Sequence, residues 1–219
     1  MPRSYGGLAA SDRRSARRAR LLDAALDLLR GGGLRAVTVR GVCQRSRVGP
    51  RYFYESFSDI DELIVAAFDI ALGDLYRSAL SAMVTAAPDT RSQVRAAVSS
   101  VLDFLAADPR KGFLLIHFGL ATPALAHRRR RAANRFFAVL DRYSGTSRRV
   151  PEYQIQFMVG GCAELLAAWL ERPAHTDRAR VVEACTELCL ARSGSAPGAF
   201  AEDARNPRRQ NLGASPPLG

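Results

Sequence analysis

An all-α protein is what this chain predicts, and three observations carry the prediction. Apolar residues recur at i, i+3, i+4 and i+7 through most of its length, the period of a helix with one buried face. The breaks between those stretches carry helix punctuation, at Gly31-Gly32-Gly33, Pro88-Asp89, Asp108-Pro109, Pro123 and Pro151. No stretch is patterned as a strand, and no internal repeat is present. At 219 residues the chain can hold a small domain and a larger one with a sizeable core.

Residues 1–11 read as a short disordered basic arm. A first helix is expected from about Asp12 to Arg30, burying Leu22, Ala25, Leu26 and Leu29. The three glycines stop it, since glycine takes the left-handed conformation past a helix end. Thr38 then suits the N-cap of a short helix with Val39, Val42 and Cys43 on one face. A turn at Ser46-Arg47-Val48 folds Val48 back onto its neighbours. Gly49-Pro50 opens a second short helix running to Ser56, proline being tolerated in a first helical turn. On that helix Phe53 and Phe57 point inward while Arg51, Tyr52 and Tyr54 point outward. Residues 12–58 are therefore a helix-turn-helix module whose second helix is short, basic and rich in hydroxyls. Such a helix fits a DNA major groove.

At these residues the chain resembles the tetracycline-repressor (TetR) family of bacterial transcriptional regulators. The resemblance covers roughly residues 13–70 and rests on Thr38, Val48, Tyr54-Glu55-Ser56-Phe57 and Asp61-Glu62-Leu63. Two positions depart from the family pattern. Arg47 stands where a turn glycine is usual, so a non-glycine residue is expected at positive φ, with some strain. Ile60 stands where a phosphate-touching lysine is common, so that contact should be missing.

Charge points the same way. Residues 1–51 hold 12 Arg against Asp12, Asp23 and Asp27, a net of +9 out of +11 for the whole chain. Charge so concentrated is the footprint of a polyanion-binding module; a soluble basic face or a membrane-surface helix is the competing reading. By chemistry, Thr38 and Tyr54 suit phosphate oxygens, and Arg40 and Arg45 are phosphate candidates. Arg51 and Tyr52 stand where base edges are reached, although Tyr52 can instead pack on the first helix. Gly49 allows close backbone approach, and Arg47 and Pro50 complete the DNA-facing set.

Residues 59–193 read as a helical ligand-binding and dimerisation domain. A long helix starts near Asp59, with Asp61 and Glu62 at the positive end of its dipole, and continues to about Val84. Further helices are expected after Pro88-Asp89, over 110–120 and 123–143, from Pro151 to Arg172, and from about Thr176 to Arg192. Ser144 to Val150 is a polar loop, and 194–219 is a disordered tail.

The resemblance implies a homodimer formed by the last two helices, a small-molecule effector, and release of a palindromic operator when the long helix swings. Met158, Gly161, Cys162, Leu165, Trp169, Val181, Cys185 and Leu188 are the interface candidates. Phe104, Phe113, His117, Phe118, Phe137, Tyr143 and Trp169 are candidates for a pocket that would suit a hydrophobic or aromatic effector, although each also serves as plain core. Repression is the expected action; activation by the same fold is the alternative.

The remaining features point away from other classes. The four cysteines and three histidines have no metal or disulfide spacing, so Cys185 and Cys189 read as packing residues rather than a metal or redox site. No cofactor is implied, and no carboxylate pair, Cys–His pair or phosphate loop suggests an enzyme. The uncharged run Gly112–Ala126 is too short and interrupted to span a bilayer, so a soluble, cytoplasmic protein is expected. Arg128 to Arg131 spread over more than one helical turn and read as a solvated surface, with contact to an anionic ligand group as the alternative.

Overall fold

The structure, a computed structural model, describes residues 5–143, 150–172 and 176–191. Among the described residues are nine α-helices, one 3-10 turn and no strand. The helices are α1 (Tyr5–Gly32), α2 (Val39–Ser46), α3 (Pro50–Tyr54), α4 (Ile60–Thr85), α5 (Thr90–Ala107), α6 (Pro109–His117), α7 (Pro123–Tyr143), α8 (Glu152–Glu171) and α9 (Arg178–Leu190). The expected loop at 144–149 and the expected tail beyond residue 193 lie outside the described residues.

One sequence expectation is corrected at the start of the chain. Residues 5–11 belong to α1 and are not a separate arm. Adding residues to an existing helix is far easier than nucleating one, and Leu8, Ala9 and Ala10 are good helix formers. The buried stripe of α1 also begins one residue earlier than expected. Leu21 is fully buried while Leu22 is half-buried, with Ala25, Leu26 and Leu29 continuing the stripe.

Helix ends follow local chemistry. Gly33 takes φ 67° just past α1, a conformation that L side chains rarely adopt. Thr38, Asp59, Asp89, Asp108 and Asp177 each accept a backbone N–H at the start of a helix. At α4 the cap is reciprocal: the Asp59 carboxylate accepts from the Glu62 N–H at 2.8 Å, while the Glu62 carboxylate accepts from the Ser58 N–H at 2.6 Å. This pair fixes the angle at which α4 leaves the helix-turn-helix.

Two cores meet along α4. The first joins α1, α2, α3 and the N-terminal half of α4 through Leu29, Val42, Val48, Phe53, Phe57 and Leu63, and it extends to Leu114 and Leu115 of α6. The C-terminal half of α4 packs with α5, α7 and α8 through Ala79, Met83, Val94, Phe137 and Met158. Arg91 of α5 pairs with Glu183 and Glu187 of α9, and Arg178 of α9 reaches Asp103 of α5. One continuous helix thus runs from the module at the N-terminus into the domain behind it.

Candidate nucleic-acid interface

The helix-turn-helix closes around Phe53 and Val48. Phe53 is buried and packs against Phe57 with ring centroids 5.9 Å apart. Anchoring α3 by that side chain turns Arg51, Tyr52 and Tyr54 outward, because one helical step places neighbours about 100° apart. Tyr54 is 60 % exposed and Tyr52 is 42 % exposed, so two large rings carry their hydroxyls at the surface. Arg51 is also exposed, and its contact with Glu55 at 3.4 Å is solvent-facing and of little strength. The turn itself takes Arg47 at φ 54° and ψ 37°, the left-handed conformation expected there, with its side chain exposed.

Three arginines of α1 hold α3 rather than reach outward. Arg14 donates to the Glu55 carbonyl at 2.7 Å, and Arg18 donates to the Ser56 carbonyl at 3.1 Å. Both carbonyls lie at the C-terminal end of α3, where the helix leaves acceptors unsatisfied. Arg18 also covers the Phe57 ring, and Arg17 covers the Tyr52 ring at 4.4 Å. Tyr52 therefore packs one face against Arg17 of α1 and stays 42 % exposed.

Arg45 is engaged within the protein. Its guanidinium donates to the Asp27 carboxylate of α1 at 2.6 Å, and the other oxygen of that carboxylate accepts from Arg110 of α6 at 2.7 Å. Arg110 also pairs with Asp23 at 2.9 Å and with Asp108. Hydrogen bonds from Arg110 and then Arg45 hold the Asp27 carboxyl below its ordinary range. The remaining α2 cation of the predicted set, Arg40, is exposed. Thr38 uses its hydroxyl to cap α2 through the Gly41 N–H at 3.0 Å and stays at the surface. Gly49 and Pro50 are exposed at the start of α3.

Residues 21–67, the segment just described, match the family described as "Bacterial regulatory proteins, tetR family". Residues 21–67 thus form a TetR-type N-terminal module. The HTH-type transcriptional regulator BetI of Burkholderia cenocepacia (strain HI2424) is 34 % identical over 90 residues, which are 41 % of this chain and 46 % of that protein. The chain thus spans about half the length of the curated relatives it matches. A TetR family transcription regulator from Marinobacter aquaeolei VT8 superposes with a TM-score of 0.66 at 16 % identity, covering 83 % of this chain and 97 % of that one. The transcriptional regulator FadR from Bacillus subtilis, in complex with stearoyl-CoA, gives a TM-score of 0.61 at 13 % identity, covering 81 % and 99 %. At these identities the likeness is one of fold, and it covers the helices of the C-terminal domain as well as the module.

In the C-terminal domain the helices line an apolar cavity of about 170 Å³. Leu72 and Tyr76 of α4, Val98 and Val101 of α5, Phe137 and Arg129 of α7, and Met158 and Cys162 of α8 contribute to its wall. Among the seven pocket residues predicted from sequence, Phe137 lines this cavity. Phe104, Phe113, His117, Phe118 and Trp169 do not, and the side chain of Tyr143 lies outside the described residues. Phe113, His117 and Phe118 instead form an aromatic cluster on α6, with Arg30 of α1 over the Phe113 ring. Trp169 packs with Leu102, Leu105 and Val181 in a third core cluster, and Phe104 sits under Lys111. Selection by aromatic character picked rings that mostly pack elsewhere in the protomer, Phe104, Phe113 and Phe118 half-buried and His117 exposed, whereas the cavity wall is mostly aliphatic.

The predicted interface residues are also placed differently. Met158, Trp169, Val181 and Cys185 are buried within the protomer. Cys162 and Leu165 are half-buried against the third cluster, and Gly161 faces Leu188 of α9. The Cys162 thiol lies 3.9 Å from the Cys185 carbonyl; the Cys185 and Cys189 thiols beside it, with burial, push its pKa up. Such a thiol stays protonated and unreactive. The face of α8 left to solvent carries Tyr153, 74 % exposed, and Phe157, 73 % exposed, with open space at Gly160. A helix apolar nearly all round has two faces to bury, and periodicity does not say which one the protomer uses.

Proposed function

We propose that this chain is a TetR-family, sequence-specific DNA-binding transcriptional regulator that acts as a homodimer on a palindromic operator and is released by a small effector. The observation that carries the reading is the outward face of α3. Arg51, Tyr52 and Tyr54 stand exposed on a helix clamped from behind by Phe53, Arg14 and Arg18. A rigid, protruding, donor-rich helix is what major-groove readout requires. Arg51 is assigned to a base edge and Tyr54 to phosphate, with Tyr52 offering its free edge. Arg40 and Arg47 are the flanking phosphate contacts. Arg45, which shares Asp27 with Arg110, is better suited to positioning α2 than to reaching DNA.

One helix of five residues reads only a few base pairs, so the reading needs two copies. The exposed Tyr153–Phe157 face of α8 supports α8 as the contact between them. Effector control follows from connectivity. The cavity wall includes Phe68, Leu72 and Tyr76 of α4, whose other end leaves the reader through the Asp59–Glu62 cap. Arg110 of α6 is tied to Asp27 of α1, a second route between the domains. An effector that prefers the arrangement unable to span two half-sites releases DNA by that differential affinity alone. Mobility-shift titration of a duplex selected from a random pool tests the reading: a palindrome with half-sites about one helical turn, ~34–36 Å, or a multiple apart is expected. Absence of any preferred duplex overturns it.

A further inference from the structure

The four-arginine run on α7 is divided by the fold into different environments. Arg128 turns outward to Asp69 of α4 at 2.9 Å. Arg130 and Arg131 line outer grooves with His127 and Arg135. Arg129 alone of the four contributes to the wall of the apolar cavity. It is half-buried, and among the described residues no carboxylate pairs with it. Burial pushes its pKa down, with Tyr76 offsetting part of that shift. An arginine in an apolar wall without a counter-charge is costly for the empty protein, and a bound anion would repay that cost.

Two neighbours suit this arrangement. Tyr76 lines the same cavity, and burial pushes its pKa up to about 12, so its hydroxyl keeps its proton at neutral pH and can donate. Gly119, at the corner between α6 and α7, leaves room for the arginine stem. A Cβ there would stand 3.1 Å from Arg129 Cδ and 2.5 Å from the Leu115 carbonyl oxygen. The rest of the wall, including Leu72, Val98, Phe137, Met158 and Cys162, is hydrocarbon, thioether or thiol. A cavity of about 170 Å³ suits an apolar body of roughly seven heavy atoms, since one of about 150 Å³ takes a benzene ring.

We propose that the effector is an amphiphilic carboxylate, its apolar body in the cavity among α4, α5, α7 and α8 and its head held by the Arg129 guanidinium and the Tyr76 hydroxyl. This rests on the C-terminal domain being the effector domain of the regulator proposed above. Isothermal titration of the full chain with octanoate and octan-1-ol, equal in body and different in head, tests it. Octanoate is expected to bind about ten- to a hundred-fold more tightly, the worth of a charge-assisted hydrogen bond. Arg129→Gln should abolish that preference while Arg130→Gln retains it, and the empty Arg129→Gln protein should melt no lower than the wild type. 3-Phenylpropanoate, run alongside, distinguishes an aryl from an alkyl body, with the same dependence on Arg129 expected for whichever binds. Equal affinity for octanoate and octan-1-ol, or an undiminished preference in Arg129→Gln, overturns the proposal. Duplex binding by the same preparations separates the two readings. Protein that holds a selected duplex without head-group preference refutes the carboxylate alone, whereas protein that prefers octanoate yet holds no duplex refutes the DNA reading alone.

Discussion

Arginine is put to opposite uses at the two ends of this molecule. In the N-terminal module Arg14, Arg18 and Arg45 each meet an acceptor, a helix-end carbonyl or the Asp27 carboxylate, and together they brace the surface that carries Arg51. In the C-terminal domain Arg129 faces an aliphatic cavity with no carboxylate against it among the described residues. The arginines of one end are met by acceptors, whereas the one in the cavity wall meets no carboxylate among the described residues. A formal charge count treats these side chains as equal, but their partners decide what each can do. The +9 of residues 1–51 therefore overstates the charge free to meet DNA, because Arg14, Arg18 and Arg45 are already engaged.

The contrast can be broken most severely at the base of the rigid end. Phe53→Ala removes a fully buried ring and should cost about 3–5 kcal/mol, seen as a lowered denaturation midpoint together with loss of duplex binding. At the other end, Phe157→Glu on the exposed face of α8 should weaken self-association by about 2 kcal/mol or more. Sedimentation would show monomers at concentrations where the wild type is dimeric, with the protomer's helical content unchanged.

The connection between the ends is the next target. Asp27→Asn leaves Arg45 and Arg110 sharing a neutral amide, with an expected loss of about 1–3 kcal/mol in urea denaturation at neutral pH. The pH dependence has a defined sign. The folded carboxyl titrates below the unfolded value of about 3.9, so its stabilisation is present above that value and is lost as pH falls through the folded pKa. The stability gap between wild type and Asp27→Asn should therefore close on acidification from about pH 5 downward.

Smaller effects sharpen the division of labour on α3. Arg51→Ala should cost about 1–3 kcal/mol on the preferred duplex and relax preference at one base position. Tyr54→Phe should weaken all duplexes nearly equally, by about 1 kcal/mol. A uniform loss for Arg51→Ala would move that residue to the phosphate-contacting group.

The helix-turn-helix was legible in the sequence because its determinants are local. Thr38, Gly33, Pro50 and the Asp59–Glu62 pair act within four residues of the backbone they shape, and the i, i+4 pair Phe53 and Phe57 sets which face turns in. The positive φ of Arg47 followed from its place in the turn. What stayed illegible depends on residues distant in the chain. The Asp27 hub joins positions 27, 45 and 110, which no spacing rule links. Met158 and Phe157 are adjacent and both apolar, yet one is buried and the other is 73 % exposed, because neighbouring helices cover only one side of α8. Likewise, periodicity spread Arg128 to Arg131 around α7 but could not say which of them would meet the cavity. The first turns of α1 were missed for a milder reason: Gly6-Gly7 and the polar residues before them suggest an arm, but a helix already secured by Leu21 to Leu29 continues through them.

The exposed face of α3 bears most directly on what this protein does. Selection of bound sequences from a random duplex pool, followed by affinity measurements on the enriched duplex at two salt concentrations, reads that face as a whole. A two-fold symmetric sequence is expected, bound at least about a thousandfold more tightly than bulk competitor, with affinity falling steeply as salt rises. Equal binding to all duplexes, or an enriched sequence whose affinity is unchanged by Arg51→Ala and Tyr54→Phe together, would contradict it.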